Sequence, residues 1–225
     1  MRVEIEYSPA FAMATAHLDD GESIKGEAGA MMAMSPSVTI DTSTQGGILK
    51  GLKRSVLGGE SFFMNTFTAQ GADAHVVFAP ALPGDIVNWE LDGRTVYLQS
   101  GSYLASSQAI DIDSKWGGSK TFFSREGLFM LKCTGTGNML VSSYGAIATM
   151  DLVDGETYVV DSGHMVGWDE GVRYEVRKAG SWKSTILGGE GFVVHLTGPG
   201  RIYIQTRSQD AFLDWLIPKL PTQRS

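Results

Sequence analysis

The stretch Gly21-Glu-Ser-Ile-Lys-Gly-Glu27-Ala-Gly29-Ala-Met-Met-Ala33 decides the fold, because it returns twice without a gap. Its second copy is Gly93-Arg-Thr-Val-Tyr-Leu-Gln99-Ser-Gly101-Ser-Tyr-Leu-Ala105, and its third is Gly155-Glu-Thr-Tyr-Val-Val-Asp161-Ser-Gly163-His-Met-Val-Gly167. The shared skeleton is Gly, one variable position, Ser or Thr, three strand-like positions, an acid or amide, Ala or Ser, Gly, then a second strand. That pattern predicts a hairpin in each copy, with Gly29, Gly101 and Gly163 at equivalent tight turns that require φ > 0.

A second motif interleaves with the first. It reads Leu57-Gly-Gly-Glu60-Ser-Phe-Phe-Met-Asn-Thr-Phe-Thr-Ala-Gln-Gly71, then Phe123-Ser-Arg-Glu126-Gly-Leu-Phe-Met-Leu-Lys-Cys-Thr-Gly-Thr-Gly137. The third copy, Leu187-Gly-Gly-Glu190-Gly-Phe-Val-Val-His-Leu-Thr-Gly-Pro-Gly200, is one residue shorter. Each runs from a glutamate through an apolar stretch to a glycine turn and a further strand, which again predicts a hairpin. Two motif sets alternating at matching intervals point to three copies of one unit of about 65 residues. The expected architecture is all-β: a single domain, 1–225, of three tandem repeats (approximately 18–80, 81–145 and 146–208) around a pseudo-threefold axis.

Periodicity adds packing. The second-motif runs are apolar at adjacent positions, so they are expected to be covered on both faces, whereas Val172-Arg-Tyr-Glu-Val-Arg177 alternates as a surface strand should. One helix is expected, over 209–217, where Phe212, Trp215 and Leu216 share a face and Pro218 and Pro221 end the pattern. Phe212 and Trp215 are expected to dock on apolar surface.

Composition agrees with many turns: 28 glycines in 225 residues is well above the usual share of about 7%. The lone Cys133 lies in an apolar run, with nothing cationic flanking it closely enough to argue for a reactive thiolate, so it reads as a buried structural thiol rather than half of a disulfide. The early glutamates and the missing continuous apolar segment argue against a signal peptide, and no run is long enough for a membrane span, so a cytoplasmic location is expected. A net charge of −7 disfavours binding to a phosphate backbone.

The stretches Leu57–Thr68 and Ile186–Ser208, with Glu27-Ala-Gly-Ala-Met-Met-Ala-Met-Ser-Pro36, resemble a widespread prokaryotic family. Its eukaryotic branch is the altered-inheritance-of-mitochondria family, associated with mitochondrial biogenesis. The resemblance covers nearly the whole chain. It implies a fold like that of the tryptophan RNA-binding attenuation protein, a β-sandwich or double-stranded β-helix unit, here triplicated. It supplies no catalytic residue set, and kinship of fold does not make the chain an RNA binder.

The residues themselves offer little chemistry. His17, His75, His164 and His195 are scattered and form no His-X-His pair, so neither a metal nor any other cofactor is expected. No nucleophile elbow or phosphate loop is present. Lys50, Lys53 and Arg54 form one basic cluster; Arg173, Arg177, Lys178 and Lys183, with Tyr174 and Trp182, form another. Basic plus aromatic suits single-stranded RNA, although a solvated strand face is the expected reading here.

The one triplicated carboxylate is Glu60, Glu126 and Glu190. It marks either a threefold-related ligand site or an acceptor each unit needs for backbone N–H groups. The second is favoured, because three converging carboxylates would repel. The functional expectation is a non-enzymatic scaffold or interaction protein that forms homo-oligomers. The alternative is a module binding a small ligand, a glycan or single-stranded RNA.

Overall fold

A computed structural model describes residues 1–42, 64–114, 122–123, 128–178 and 192–221. The first third holds β1 (Arg2–Glu6), β2 (Met13–Leu18), β3 (Ser23–Glu27), β4 (Met31–Met34), β5 (Val38–Asp41), β6 (Met64–Ala69) and β7 (Ala74–Phe78). Next come β8 (Ile86–Gln99), β9 (Tyr103–Ser107), β10 (Ile110–Asp113), β11 (Phe122–Phe123) and β12 (Leu128–Ser142). The last third holds β13 (Ile147–Leu152), β14 (Thr157–Asp161), β15 (Met165–Asp169), β16 (Arg173–Lys178), β17 (Phe192–Thr197), β18 (Gly200–Gln205) and helix α1 (Gln209–Leu216).

The chain is mostly β, in several antiparallel sheets. Four kinds of pairing occur in each third of the chain. β2 pairs with β7, the first half of β8 with the second half of β12, and β13 with β18. β3 pairs with β6, the second half of β8 with the first half of β12, and β14 with β17. β5, β10 and β16 each add to that second set, on β6, β12 and β17. β4, β9 and β15 add to the first set, on β7, β12 and β18, each with a shift in register. The shifts bracket Met31/Ala33, Leu140/Val141 and Met165/Gly167.

These pairings overturn both hairpin expectations. Within the first motif, β3 does not pair with β4, β8 with β9, or β14 with β15; within the second, β6 does not pair with β7, or β17 with β18. In the first and last thirds the consecutive strands of each motif instead turn a corner and join different sheets, whereas β8 and β9 flank β12 in one eleven-stranded sheet. A hairpin needs a two-residue turn whose twist folds the chain back on itself. The corners after Gln99 and Asp161 are single 3₁₀ turns, Ser100–Ser102 and Ser162–His164, which redirect the chain without reversing it. Gly29 alone of the three corner glycines has positive φ, +92°, so the expected equivalence of Gly29, Gly101 and Gly163 in conformation does not hold. The first glycine of every first-motif copy does have positive φ: Gly21, Gly93 and Gly155, at +75°, +102° and +78°.

Alternation sets the faces. In β2, Ala14, Ala16 and Leu18 point inward while Met13, Thr15 and His17 point out. The core divides into three clusters. One holds Ile24, Phe67, Val76 and Phe78; another holds Val96, Leu98, Tyr103 and Leu131; the third holds Met165, Trp168, Val194 and Ile202. Coverage on both faces, expected of every second-motif strand, is confined to the middle one, where Phe129, Met130 and Leu131 are all buried. β12 lies inside an eleven-stranded sheet, whereas β6 and β17 lie nearer their sheet edges and alternate. β16 alternates as expected.

Helix α1 starts where expected, with Ser208 Oγ accepting from Ala211 N as N-cap, and a 3₁₀ turn over Ile217–Lys219 ends it. The expected docking of both rings is not seen. Phe212 meets the Tyr144 ring at 6.1 Å but stays 36% exposed, and Trp215 is 57% exposed beneath the Lys219 ammonium. Among the described residues no helix is long and apolar enough to cross a membrane.

Candidate interaction surface

Three places could carry function: a cavity at the corners, a buried polar cluster, and one junction between sheets. Glu60, Glu126 and Glu190, the sequence-predicted site, lie outside the described residues, as do Lys50, Lys53, Arg54, Trp182 and Lys183.

The corner cavity has a volume of about 440 Å³, and its walls include Glu27, Gln99, Gly163, Tyr144, Gln205 and Ser208. Its polar groups largely serve the fold. Gln205 Nε2 donates to Gly163 O at 2.9 Å, and Gln205 Oε1 accepts from Tyr144 N at 2.9 Å. Ser102 Oγ donates to Gln99 Oε1, and Asp161, the equivalent of Gln99 in the third motif copy, accepts from Gly163 N at 2.9 Å. The acid or amide seen in the motif therefore braces its own corner. Gly163 must be glycine for space: a Cβ there would lie 2.5 Å from Ser208 Oγ.

The buried cluster holds the largest electrostatic perturbations. Burial pushes the Cys133 thiol up to about 12, and burial also raises the Tyr103 phenol, which bonds Lys25 O and Ser106 Oγ. Burial lowers the Lys25 ammonium, whose Nζ donates to Ile110 O. None of these groups lines the corner cavity. A thiol held protonated and out of water is a poor nucleophile, as the sequence suggested for Cys133.

The histidines stay apart in role. His17 and His75 oppose each other in the β2–β7 ladder with their rings 6.1 Å apart, and His17 meets Glu4 at 3.3 Å; His164 Nδ1 meets Gln205 O at 2.7 Å, and His195 lies opposite Glu175 in the β16–β17 ladder. Among the described residues no three His, Cys, Asp or Glu side chains gather as metal ligands would. Of the basic strand, Arg177 is paired with Glu175 at 2.6 Å and the Tyr174 ring packs 4.9 Å from Trp168. Arg173, Arg177 and Lys178 are exposed along that strand, while its aromatic ring packs against the core.

The junctions between thirds of the chain differ in state. β3 pairs with β9, with Gly26 opposite Ala105. β8 pairs with β15, with Leu98 opposite Gly167. In the motif Gly26 and Leu98 hold the sixth position, and Ala105 and Gly167 the thirteenth. The remaining residues at these positions are Val160 on β14 and Ala33 on β4, and they do not meet: among the described residues β14 pairs with β17 alone, and β4 with β7 alone. Exposure follows. Met32 is 57% exposed where Leu104 and Val166 are 0%, and Tyr158 is 39% exposed where Ile24 and Val96 are 0%. Nothing in the sequence marked this difference, because all three copies carry apolar residues at these positions.

Comparison with known proteins places the chain among relatives. The family model described as mitochondrial biogenesis AIM24 matches residues 3–207. An uncharacterized protein of Streptococcus pyogenes serotype M6 is 32% identical over 230 aligned positions, covering 99% of this chain and 92% of the relative. A crystal structure of a Streptococcus pyogenes protein superposes with a TM-score of 0.81 at 30% identity, covering 97% of this chain and 99% of the other.

Proposed function

The chain belongs to the mitochondrial biogenesis AIM24 family, and from that premise we propose that it is a non-enzymatic interaction scaffold that self-associates. In this reading three units of one plan surround a common axis. The fourfold pairing pattern repeated in each third supports that arrangement, as does the way Glu27, Gln99, Gly101 and Gly163 all line one cavity. The single observation that carries the scaffold reading is the unpaired junction. Apolar side chains buried in two settings face water in the third, and exposed apolar surface beside open strand edges is what a partner covers. A catalytic reading has less support, because the strongly shifted Cys133 and Tyr103 lie in the core. Glu60, Glu126 and Glu190 retain their reading as backbone acceptors in each unit.

Native mass spectrometry of the full chain tests the proposal. Oligomers at micromolar concentration without a stoichiometric small molecule are expected. A chain that stays monomeric up to high micromolar concentration, or that retains one small molecule per chain, overturns it.

A further inference from the structure

We propose that the partner is a second copy of this chain, whose β4 pairs antiparallel with β14 of the first, with Val160 opposite Ala33 and Val159 opposite Met34. This rests on the scaffold reading and gives it a surface.

The argument begins with the two formed junctions. In both, the strand entering a corner pairs with the strand leaving the next corner, in the same register counted from the first glycine of the motif: Gly26 with Ala105, and Leu98 with Gly167. The same rule assigns Val160 to Ala33. β14 and β4 are thus a matched pair of templates, each already shaped by its own sheet, and neither has a partner on its outer side among the described residues.

Of the other edges, β1 and β13 also end their sheets, but neither enters or leaves a corner, so the register rule gives neither a counterpart. β5, β10 and β16 are peripheral in every third of the chain, so their position is an edge by design. β16 also carries Arg173, Arg177 and Lys178, and charge is a usual protection of an edge. β14, Thr157-Tyr-Val-Val-Asp161, and β4, Met31-Met-Ala-Met34, contain no lysine, arginine or proline. Pro36 falls just beyond the last expected pair, Tyr158 with Ser35, where it removes no ladder donor. Tyr158 and Val159 are of residue types that favour strands.

The contact is head-to-tail. Each copy offers one β14 and one β4, so a closed ring satisfies every such edge, and a dimer is the smallest.

Disulfide trapping in mixtures of two full-length variants tests this. One chain carries Val159→Cys and the other Met34→Cys; a second mixture uses Val160→Cys and Ala33→Cys. Neighbouring pairs alternate between hydrogen-bonded and non-hydrogen-bonded sites, and opposed residues in such a ladder lie within disulfide reach. Under mild oxidation a covalent heterodimer is expected as the main product of at least one mixture. Val159→Cys mixed with Ile40→Cys, on another strand edge, should give none. Val159→Pro should shift the native mass spectrum from oligomer to monomer while far-ultraviolet circular dichroism stays unchanged.

Three results overturn the proposal. If oligomers persist in Val159→Pro and neither mixture cross-links, the chain assembles through another surface, and the scaffold reading survives without this one. If Met34→Cys and Val159→Cys placed together in one chain link only within that chain, the two strands close on each other. If the unmodified chain is monomeric and nothing cross-links, both readings fall.

Discussion

β8 and β14 carry the same motif and end in opposite surroundings. Val96, Tyr97 and Leu98 on β8 lie against β15, with Trp168 packed 5.7 Å from the Tyr97 ring. Tyr158 and Val159 on β14 face water, and Val160 alone of the three is buried. Residue type cannot explain the difference, since both strands are apolar and β-forming. Neighbours do: β8 has the leaving strand of the next third beside it, and β14 has no such strand on its outer side among the described residues. Topology, rather than local sequence, decides which copy is left exposed.

The largest contrast is expected in thiol chemistry. Cys133 lies beneath the formed β3–β9 junction, beside Lys25, and burial pushes it up to about 12. A cysteine placed by Val159→Cys would be solvated in the monomer. At pH 8 its alkylation should outpace that of Cys133 by about 10³-fold, the ratio of thiolate fractions. Rates measured with iodoacetamide on dilute protein check this, and comparable rates would mean the formed junction opens readily. A pH consequence follows with definite sign. The folded thiol titrates above the unfolded one, so its contribution is fully present below about pH 9 and is lost as pH rises towards 12. Urea denaturation across that interval should show stability falling, and less steeply in Cys133→Ala.

Stability should separate the junctions next. Leu104→Ala, at a fully buried site beside β3, is expected to cost about 2–5 kcal/mol. Met32→Ala, at the matching position of the open junction, should cost within about 0.5 kcal/mol in dilute monomer. Denaturation at two protein concentrations checks both. If Met32→Ala is costly even in dilute protein, β4 is covered within its own chain.

Much of this fold was legible from repeats and alternation. The glycines at 21, 93 and 155 marked the recurrence of the motif, although left-handed turns were expected at Gly29, Gly101 and Gly163 and only Gly29 has one, and the apolar stripe of Phe212, Trp215 and Leu216 marked α1. Pairing was not legible. Alternation says which face a side chain takes, not which strand lies alongside, so Glu27-Ala-Gly29 reads equally well as a hairpin turn or a corner between sheets. Packing of α1 was overestimated for a related reason: an apolar stripe predicts a buried face only where a surface lies beneath it. The triplicated glutamates drew attention by recurrence, whereas the open junction is marked by a missing neighbour, which a single strand's sequence does not record.

The tail distinguishes two possible seats of assembly. Phe212, Leu213, Trp215, Ile217 and Leu220 are all exposed, so the tail offers apolar surface of its own. Full burial of Phe212 and Trp215 would contribute about 1.5–3 kcal/mol each. The observed contact is one edge-on meeting of Phe212 with Tyr144, a kind of ring pair worth about 0.5–1.5 kcal/mol. Truncation after Ser208 should therefore lower stability by about 1 kcal/mol in urea denaturation. Assembly should be unaffected, because β4 and β14 make no use of the tail. Native mass spectra of the truncated and full chains should then show the same oligomer. A truncated chain that is equally stable but monomeric would move the interface from the strand edges to the helix, and the contrast between β8 and β14 would lose its functional meaning.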